Sequence, residues 1–312
     1  MRTPQVEPRT GMPAQVTVYE VGPRDGLQNE QSTVPVEVKA EFVRRLLAAG
    51  LETVELTSFV PQRWVPQLGD AEELLALLGP AGQGQQRPVL VPNERGLDRA
   101  LATGVTAVAV FGSATESFAR RNLNRSVEDS LAMFGPVVQR ALDAGAWVRG
   151  YVSMCFGDPW EGPVPVEQVV TVCSRLMDMG CDQLSLGDTI GVGTPGHVER
   201  LLDALEDAGI GPDQIGVHFH DTYGQALSNT MTALHRGVTV VDASAGGLGG
   251  CPYARSATGN LATEDLVWAL QGMGVRHGVD LEALVTASSW MAEQLGRPSP
   301  SRVVRALAGS AE

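Results

Sequence analysis

Apolar and polar positions along the chain alternate between two periods. Short segments with β-branched or every-other-residue apolar patterning fall at 16–22 (VTVYEVG), 53–59 (TVELTSF), 87–92 (RPVLVP) and 106–114 (TAVAVFGSA). Four more follow at 147–155 (WVRGYVSMC), 182–189 (DQLSLGDT), 214–222 (QIGVHFHDT) and 239–247 (TVVDASAGG). Between them lie amphipathic stretches with a helical period. VEVKAEFVRRLLAAG ends at Gly50, and in TPGHVERLLDALEDAG Thr194 suits the cap, Pro195 the first turn and Gly209 the exit. Strands that alternate with helices call for right-handed parallel crossovers, and eight such units predict a (β/α)8 barrel. TEDLVWALQGMG supplies the closing helix, and additional C-terminal helices are expected over about 275–308. An open doubly wound sheet fits less well, because no GxGxxG follows the first strand. A single domain over 15–312 is expected, after a disordered lead-in at 1–14.

Composition narrows the partners. The chain has 312 residues, 43% of them hydrophobic, enough for one sizeable core. Net charge is −13, and of 23 basic residues only Lys39 is a lysine, so no basic run exists to follow a nucleic-acid backbone. An anionic ligand would need local arginines, because the overall field repels it. Cys155, Cys173, Cys181 and Cys251 form no CxxC pair, which suits reduced thiols in a cytoplasmic protein. No stretch approaches the roughly 18 unbroken apolar residues of a membrane span, and the first residues lack an apolar leader core.

In such a barrel the chemistry sits at the C-terminal ends of the strands. There the sequence places Arg24, Asp25 and Gln28 after the first strand, Glu55 and Ser58 on the second, and Asp188 on the sixth. His218, His220 and Asp221 end the seventh, and Cys251 and Asn260 follow the eighth. Residues two apart on a strand face the same way, so His218 and His220 share the side opposite Phe219. Two imidazoles facing Asp25, one strand away in the closed sheet where strand 8 neighbours strand 1, make a divalent-metal site the favoured reading, with barrel-lining histidines satisfied by hydrogen bonds as the alternative. A mixed nitrogen and oxygen set suits Mg²⁺ or Mn²⁺, with Zn²⁺ or Co²⁺ also compatible. Adjacent residues in an extended chain point apart, so Asp25 would serve the metal and Arg24 a substrate oxygen, with Glu55 and Asp188 as buried counter-ions of Arg24. The loop AGGLGGCPYARSATGN, 245–260, carries five glycines and can fold over the mouth, bringing Cys251 as a protonated acid. The other three cysteines read as packing residues.

These residues resemble the hydroxymethylglutaryl-CoA lyase family, metal-dependent barrel lyases. The resemblance runs over roughly 15–300 and is carried by VGPRDGLQNE, TSFVPQRWVPQLGD, GYVS, SLGDTIGVGTPG, HFHDTYGQALSNT, GGLGGCPYA and GNLATEDLV. It implies that Asp25, His218, His220 and Asn260 hold the metal, that Arg24 polarises a thioester carbonyl, and that Cys251 is the loop acid. Gln28, Glu55 and Asp188 would support the substrate and Arg24, and Asp25 or His218 would be the base. The reaction implied is retro-Claisen cleavage of 3-hydroxy-3-methylglutaryl-CoA to acetyl-CoA and acetoacetate. Arg120, Arg121 and Arg125, past the fourth strand, are candidates for the phosphates of the CoA thioester, a solvated helix start being the alternative. A homo-oligomer, dimer or tetramer, is expected. SMCFGDPWEG at 153–162 departs from the family pattern, in which a small residue and a second cysteine precede PYEG. A lyase for a longer branched 3-hydroxyglutaryl-CoA and a Claisen-condensing acyltransferase of the same barrel type are the other readings of the same residues.

Overall fold

The computed structural model describes residues 3–30, 32–250 and 259–308. Its strands fall where the alternation places them: β1 (Thr17–Glu20), β2 in two halves (Thr53–Val54 and Thr57–Ser58), β3 (Val89–Leu90) and β4 (Ala107–Ser113). β5 (Trp147–Ser153), β6 (Gln183–Asp188), β7 (Ile215–Phe219) and β8 (Val240–Ala243) complete them. All pairings in this sheet are parallel, and β8 returns to lie beside β1.

The sheet closes through β2. Its first half pairs with β1 and its second with β3, so the two ends of the sheet are halves of one segment. Between the halves, the Glu55 N–H donates to the Glu20 carbonyl on one side (2.8 Å), and the Leu56 N–H donates to the Pro88 carbonyl on the other (3.0 Å). The single strand expected over 53–59 is therefore divided because it changes partner midway. That change of partner seals the ring and removes the free edge of an open sheet.

Helices α1 (Val36–Ala48), α2 (Ala71–Leu78), α3 (Glu94–Ala102), α4 (Glu116–Leu123), α5 (Val127–Asp143) and α6 (Val166–Asp178) cover the outside. With them go α7 (Pro195–Asp207), α8 (Ala226–His235), α9 (Thr263–Gly272), α10 (Leu281–Gln294) and α11 (Arg302–Ala308). The outward strand residues Val108, Val110, Val148 and Val152 join Leu131, Phe134, Val137 and Val138 of α5 in the main apolar core. Fully burying one such side chain contributes about 1.5–3 kcal/mol, so this layer is the chief stabiliser. Caps are local: Ser126 Oγ accepts from the Asp129 N–H at 3.0 Å, and Asn93 Oδ1 from the Gly96 N–H at 2.9 Å. The segment 3–14, expected to be disordered, forms no helix and is tied to the body. The Glu7 N–H donates to the Gly272 carbonyl at 2.7 Å.

The inward strand residues are mostly polar. Tyr19, Glu55, Arg149, Tyr151, Ser185, His218 and Asp242 are all buried, with Leu90 and Ala109 as the small apolar patch among them. At the mouth, two buried carboxylates hold the roots of the loops. Glu20 Oε1 accepts the N–H groups of Gly22 (2.7 Å) and Ala245 (2.8 Å), while its Oε2 accepts the Thr263 hydroxyl at 2.6 Å. Glu264 accepts the Gly246 N–H at 2.9 Å and the Ser288 hydroxyl. The turn after β8 is thus pinned from both sides before the chain enters the glycine-rich loop.

Burial pushes Glu20 and Glu264 up from the ordinary 4.5 to about 7. The unfolded chain releases these protons near pH 4.5, whereas the folded chain keeps them until about pH 7. In that window the folded state holds more protons, so this contribution to stability falls as pH rises. Urea unfolding at several pH values should show Glu264→Gln with a shallower decline between about pH 4.5 and 7 than the parent chain. Identical slopes would contradict the assignment.

Candidate active site

His218 and His220 stand on the inner side of β7 and its exit, while Phe219 faces outward against Phe156, with ring centroids 6.0 Å apart. Residues 259–261 run back alongside. The Asp221 N–H donates to the Gly259 carbonyl (2.8 Å), the Leu261 N–H donates to the Phe219 carbonyl (3.2 Å), and Asn260 bridges to His220. Asn260 Nδ2 then donates to Asp25 Oδ2 at 2.8 Å and to the Leu248 carbonyl at 3.1 Å. Asp25 Oδ2 lies 4.0 Å from His218 Nε2, and the Nε2 atoms of His218 and His220 are 3.2 Å apart. One ligand atom from each of Asp25, His218 and His220 lies within 4.8 Å of the other two.

This donor set fits a divalent cation. Burial, reinforced by His218, pushes His220 down to about 4, so its imidazole is neutral and offers a lone pair at neutral pH. Burial alone would raise Asp25, but Arg24, His218, His220 and the Asn260 amide outweigh it and hold the carboxyl well below the usual range. Two imidazole nitrogens in contact beside an ionised carboxylate are stabilised by a shared cation with open positions for oxygen ligands.

Arg24 and Asp25 leave β1 in a single wide helical turn. The N–H groups of Asp25 (2.8 Å) and Gly26 (3.1 Å) both donate to the Val21 carbonyl. The expectation that the two side chains point apart came from extended geometry; in this turn they meet, with Arg24 Nη1 at 2.5 Å from Asp25 Oδ1. Arg24 Nε donates to Glu55 Oε1, and the Glu55 Oε2 atom accepts the hydroxyls of Tyr19 (2.9 Å) and Tyr151 (2.7 Å). The guanidinium also lies 5.3 Å from the centre of the Tyr151 ring. Asp25, Glu55 and the Tyr151 ring therefore fix Arg24 at the cavity wall.

Asp188 has a different place from the one expected. Its carboxylate accepts the N–H groups of Val192 (3.0 Å) and Gly193 (2.8 Å), so it braces the loop after β6 and does not pair with Arg24. Burial pushes it up to about 6. The reason is reach: the short loop folds back over the strand end and its backbone donors arrive first.

A cavity of about 310 Å³ opens over these groups, lined among others by Arg24, Asp25, Gln28, Trp64, Arg121, Tyr151, His218 and His220. A larger one of about 710 Å³ between α1 and α10 shares no lining residue with it and holds none of the site residues. The three arginines are separated. Arg121 stacks on Trp160 at 4.2 Å and lines the mouth, Arg125 lines an adjoining cavity, and Arg120 pairs with Glu116 at 3.4 Å in solvent. Cys251 lies outside the described residues. Cys155, Cys173 and Cys181 are buried and free, and burial pushes the last two up to about 12, so they are unreactive thiols.

Sequence reasoning missed Tyr19, Arg149, Tyr151, Ser185 and Asp242. The signal was available in the strand register: positions 149 and 151, and likewise 185, 218 and 242, fall on the inner face, where large polar side chains must find one another.

Comparison with known proteins agrees with this architecture. The family described as HMGL-like matches residues 15–291. The rat protein named "3-hydroxy-3-methylglutaryl-CoA lyase, cytoplasmic" is 47% identical over 297 residues, covering 95% of this chain and 86% of its own. The Bos taurus protein named "Hydroxymethylglutaryl-CoA lyase, mitochondrial" is 48% identical, covering 94% and 90%. The crystal structure of hydroxymethylglutaryl-CoA lyase from Pseudomonas aeruginosa superposes with a TM-score of 0.94 at 45% identity, over 97% of this chain and 100% of that one. An HMG-CoA lyase from Acinetobacter baumannii, solved with coenzyme A and 3-methylmalate, gives a TM-score of 0.89 at 32% identity, over 96% and 97% of the two chains. The (β/α)8 barrel, the shared length and the family match together place this chain in the HMGL-like family.

Proposed function

We propose that the chain is a carbon–carbon lyase that cleaves 3-hydroxy-3-methylglutaryl-CoA to acetyl-CoA and acetoacetate, using Mg²⁺ or Mn²⁺. The observation that carries this reading is the juxtaposition of the Asp25–His218–His220 cluster with a rigidly held Arg24 in one cavity. It is supported by the coenzyme A bound to the A. baumannii relative. A cytosolic homo-oligomer, dimer or tetramer, remains our reading of its setting.

A divalent cation at the cluster would orient the 3-hydroxyl and a carboxylate oxygen and make that hydroxyl more acidic. Asp25, His218, His220 and the amide oxygen of Asn260 would hold it, with Asn260 Nδ2 also fixing Asp25 through their 2.8 Å hydrogen bond. The hydroxyl proton passes to Asp25, whose carboxylate keeps lone pairs beyond the one that would hold the cation. The O–H electrons become the new C3=O π bond, the C2–C3 bond breaks, and acetoacetate departs. The C2–C3 electrons go to the enolate of the acetyl thioester, whose oxygen faces Arg24. Because Glu55 and two tyrosines hold that guanidinium in place beforehand, it stabilises the developing charge without reorganising. Cys251, within the glycine-rich segment 245–260, would then deliver a proton to C2. Arg121, its guanidinium over the Trp160 ring at the rim, is placed to meet a CoA phosphate.

Metal-reconstituted protein incubated with 3-hydroxy-3-methylglutaryl-CoA should release acetyl-CoA, and a chelator should stop it. Loss of the acid in Cys251→Ala should lower kcat by about 100-fold or more. No acetyl-CoA from the intact protein would reject the reading. Arg121→Glu should raise KM for the CoA ester by about tenfold with kcat nearly unchanged, the expected scale for one charge-assisted hydrogen bond. An unaltered KM would remove Arg121 from the substrate site.

A further inference from the structure

We propose that Asp242, fixed by Arg149, is a positioning residue that sets the tautomer and direction of His218, so that its Nε2 faces the cation site. This inference rests on reading the Asp25–His218–His220 cluster as a metal centre. It concerns two residues deep in the barrel that touch neither the cavity nor the cluster's open side.

The geometry is specific. Asp242 Oδ1 receives Arg149 Nη2 at 2.7 Å, and Oδ2 receives the Ser185 hydroxyl at 3.0 Å and stands 3.1 Å from His218 Nδ1. Both side chains of the Arg149–Asp242 ion pair are fully buried. A carboxylate bound to a guanidinium only accepts hydrogen bonds, so His218 must carry its proton on Nδ1. Its Nε2 lone pair is then directed at Asp25 and His220. His220 has no equivalent: its Nδ1 is buried without a hydrogen-bond partner among the described residues. One imidazole is thus set from behind, and the second packs against it.

The sequence makes room for this arrangement. Arg149 is held between Tyr19 and Tyr151, 3.8 and 5.0 Å from their ring centres, and its Nη1 donates to the Tyr151 hydroxyl at 3.3 Å. A Cβ on Gly216 would lie 2.3 Å from Arg149 Nη2. Gly216 sits two residues before His218 on the same inner face of β7, so glycine there is what lets the guanidinium reach across to Asp242 on β8. A buried ion pair is a poor source of stability compared with apolar residues of the same volume. Its value here lies in the orientation of the ligand, the usual task of a carboxylate behind a metal-bound histidine.

Two measurements test this. Titration of metal-free protein with Mn²⁺, read by the electron paramagnetic resonance signal of the free ion, should give Asp242→Asn a Kd about 10–100-fold weaker than the parent chain. Circular dichroism of the same samples establishes that the variant is folded. Folded Asp242→Asn with a Kd within about twofold of the parent, well inside that expected range, would overturn the proposal and leave the metal reading intact. A parent chain that takes up no Mn²⁺ would instead sink the metal reading itself, and the positioning role with it. Should Asp242→Asn fail to fold, long-range ¹H–¹⁵N spectra of the parent chain decide. The Nδ1–H tautomer at His218 supports the proposal, and the Nε2–H tautomer rejects it.

Discussion

Charge confined inside a closed ring of strands is the constraint on which the rest of the structure depends. Arg24 and Arg149 are both buried, and each is matched by a buried carboxylate, Glu55 and Asp242. Removing four such charges from water costs several kcal/mol per ion, and only tight pairing with additional hydrogen bonds offsets it. Two tyrosines supply much of that compensation. Tyr151 donates to Glu55 while its ring lies near both guanidiniums, and Tyr19 donates to Glu55 while its ring packs on Arg149. The two ion pairs are therefore one network, with Arg24 presented to the cavity at one end and His218 at the other. An apolar interior would be the more stable choice; this one fixes two functional groups relative to each other.

The barrel was legible in the sequence because its outer layer obeys simple rules. Each strand's alternate apolar residues meet an amphipathic helix, and helix exits such as Gly50 and Gly209 adopt the left-handed conformation that favours glycine. The HxH pair was legible for the same reason, since two residues apart on a strand means one face. Local pattern does not reveal what a side chain meets across the ring. Arg149 and Asp242 are 93 positions apart, and Tyr151 and Glu55 are 96 apart. Nor does a strand-like stretch reveal where regular backbone stops: Arg24 and Asp25 belong to a wide turn, which is why they touch. Asp188 was misjudged on the same ground, because its partners are backbone N–H groups that no residue type advertises.

The C-terminal helices extend the same logic outward. Arg302, at the start of α11, donates to Asp221 at 2.8 Å, next to His220, while the Ser299 hydroxyl donates to the Gly246 carbonyl at 2.8 Å at the root of the glycine-rich loop. Arg297 reaches Glu30 beyond the Arg24–Asp25 turn. One stretch of chain thus ties together the exits of β7, β8 and β1, the three strands whose ends supply the cluster. The residues past the eighth unit are part of the site's framework.

The overall field of the chain, with its net charge of −13, repels an anionic thioester, so local cations must act at close range. Arg24 is pulled in two directions, by Asp25 at its Nη1 and by Glu55 at its Nε. A cation shared by Asp25 and the two histidines would drain charge from Asp25 and repel the guanidinium beside it. Glu55 is the remaining anchor, and it lies below the mouth, fully buried, with two tyrosine hydroxyls keeping its carboxylate stabilised. That asymmetry accounts for a second carboxylate on Arg24: Asp25 is committed to the cluster, so another acid must hold the guanidinium against the repulsion of the ion it works beside.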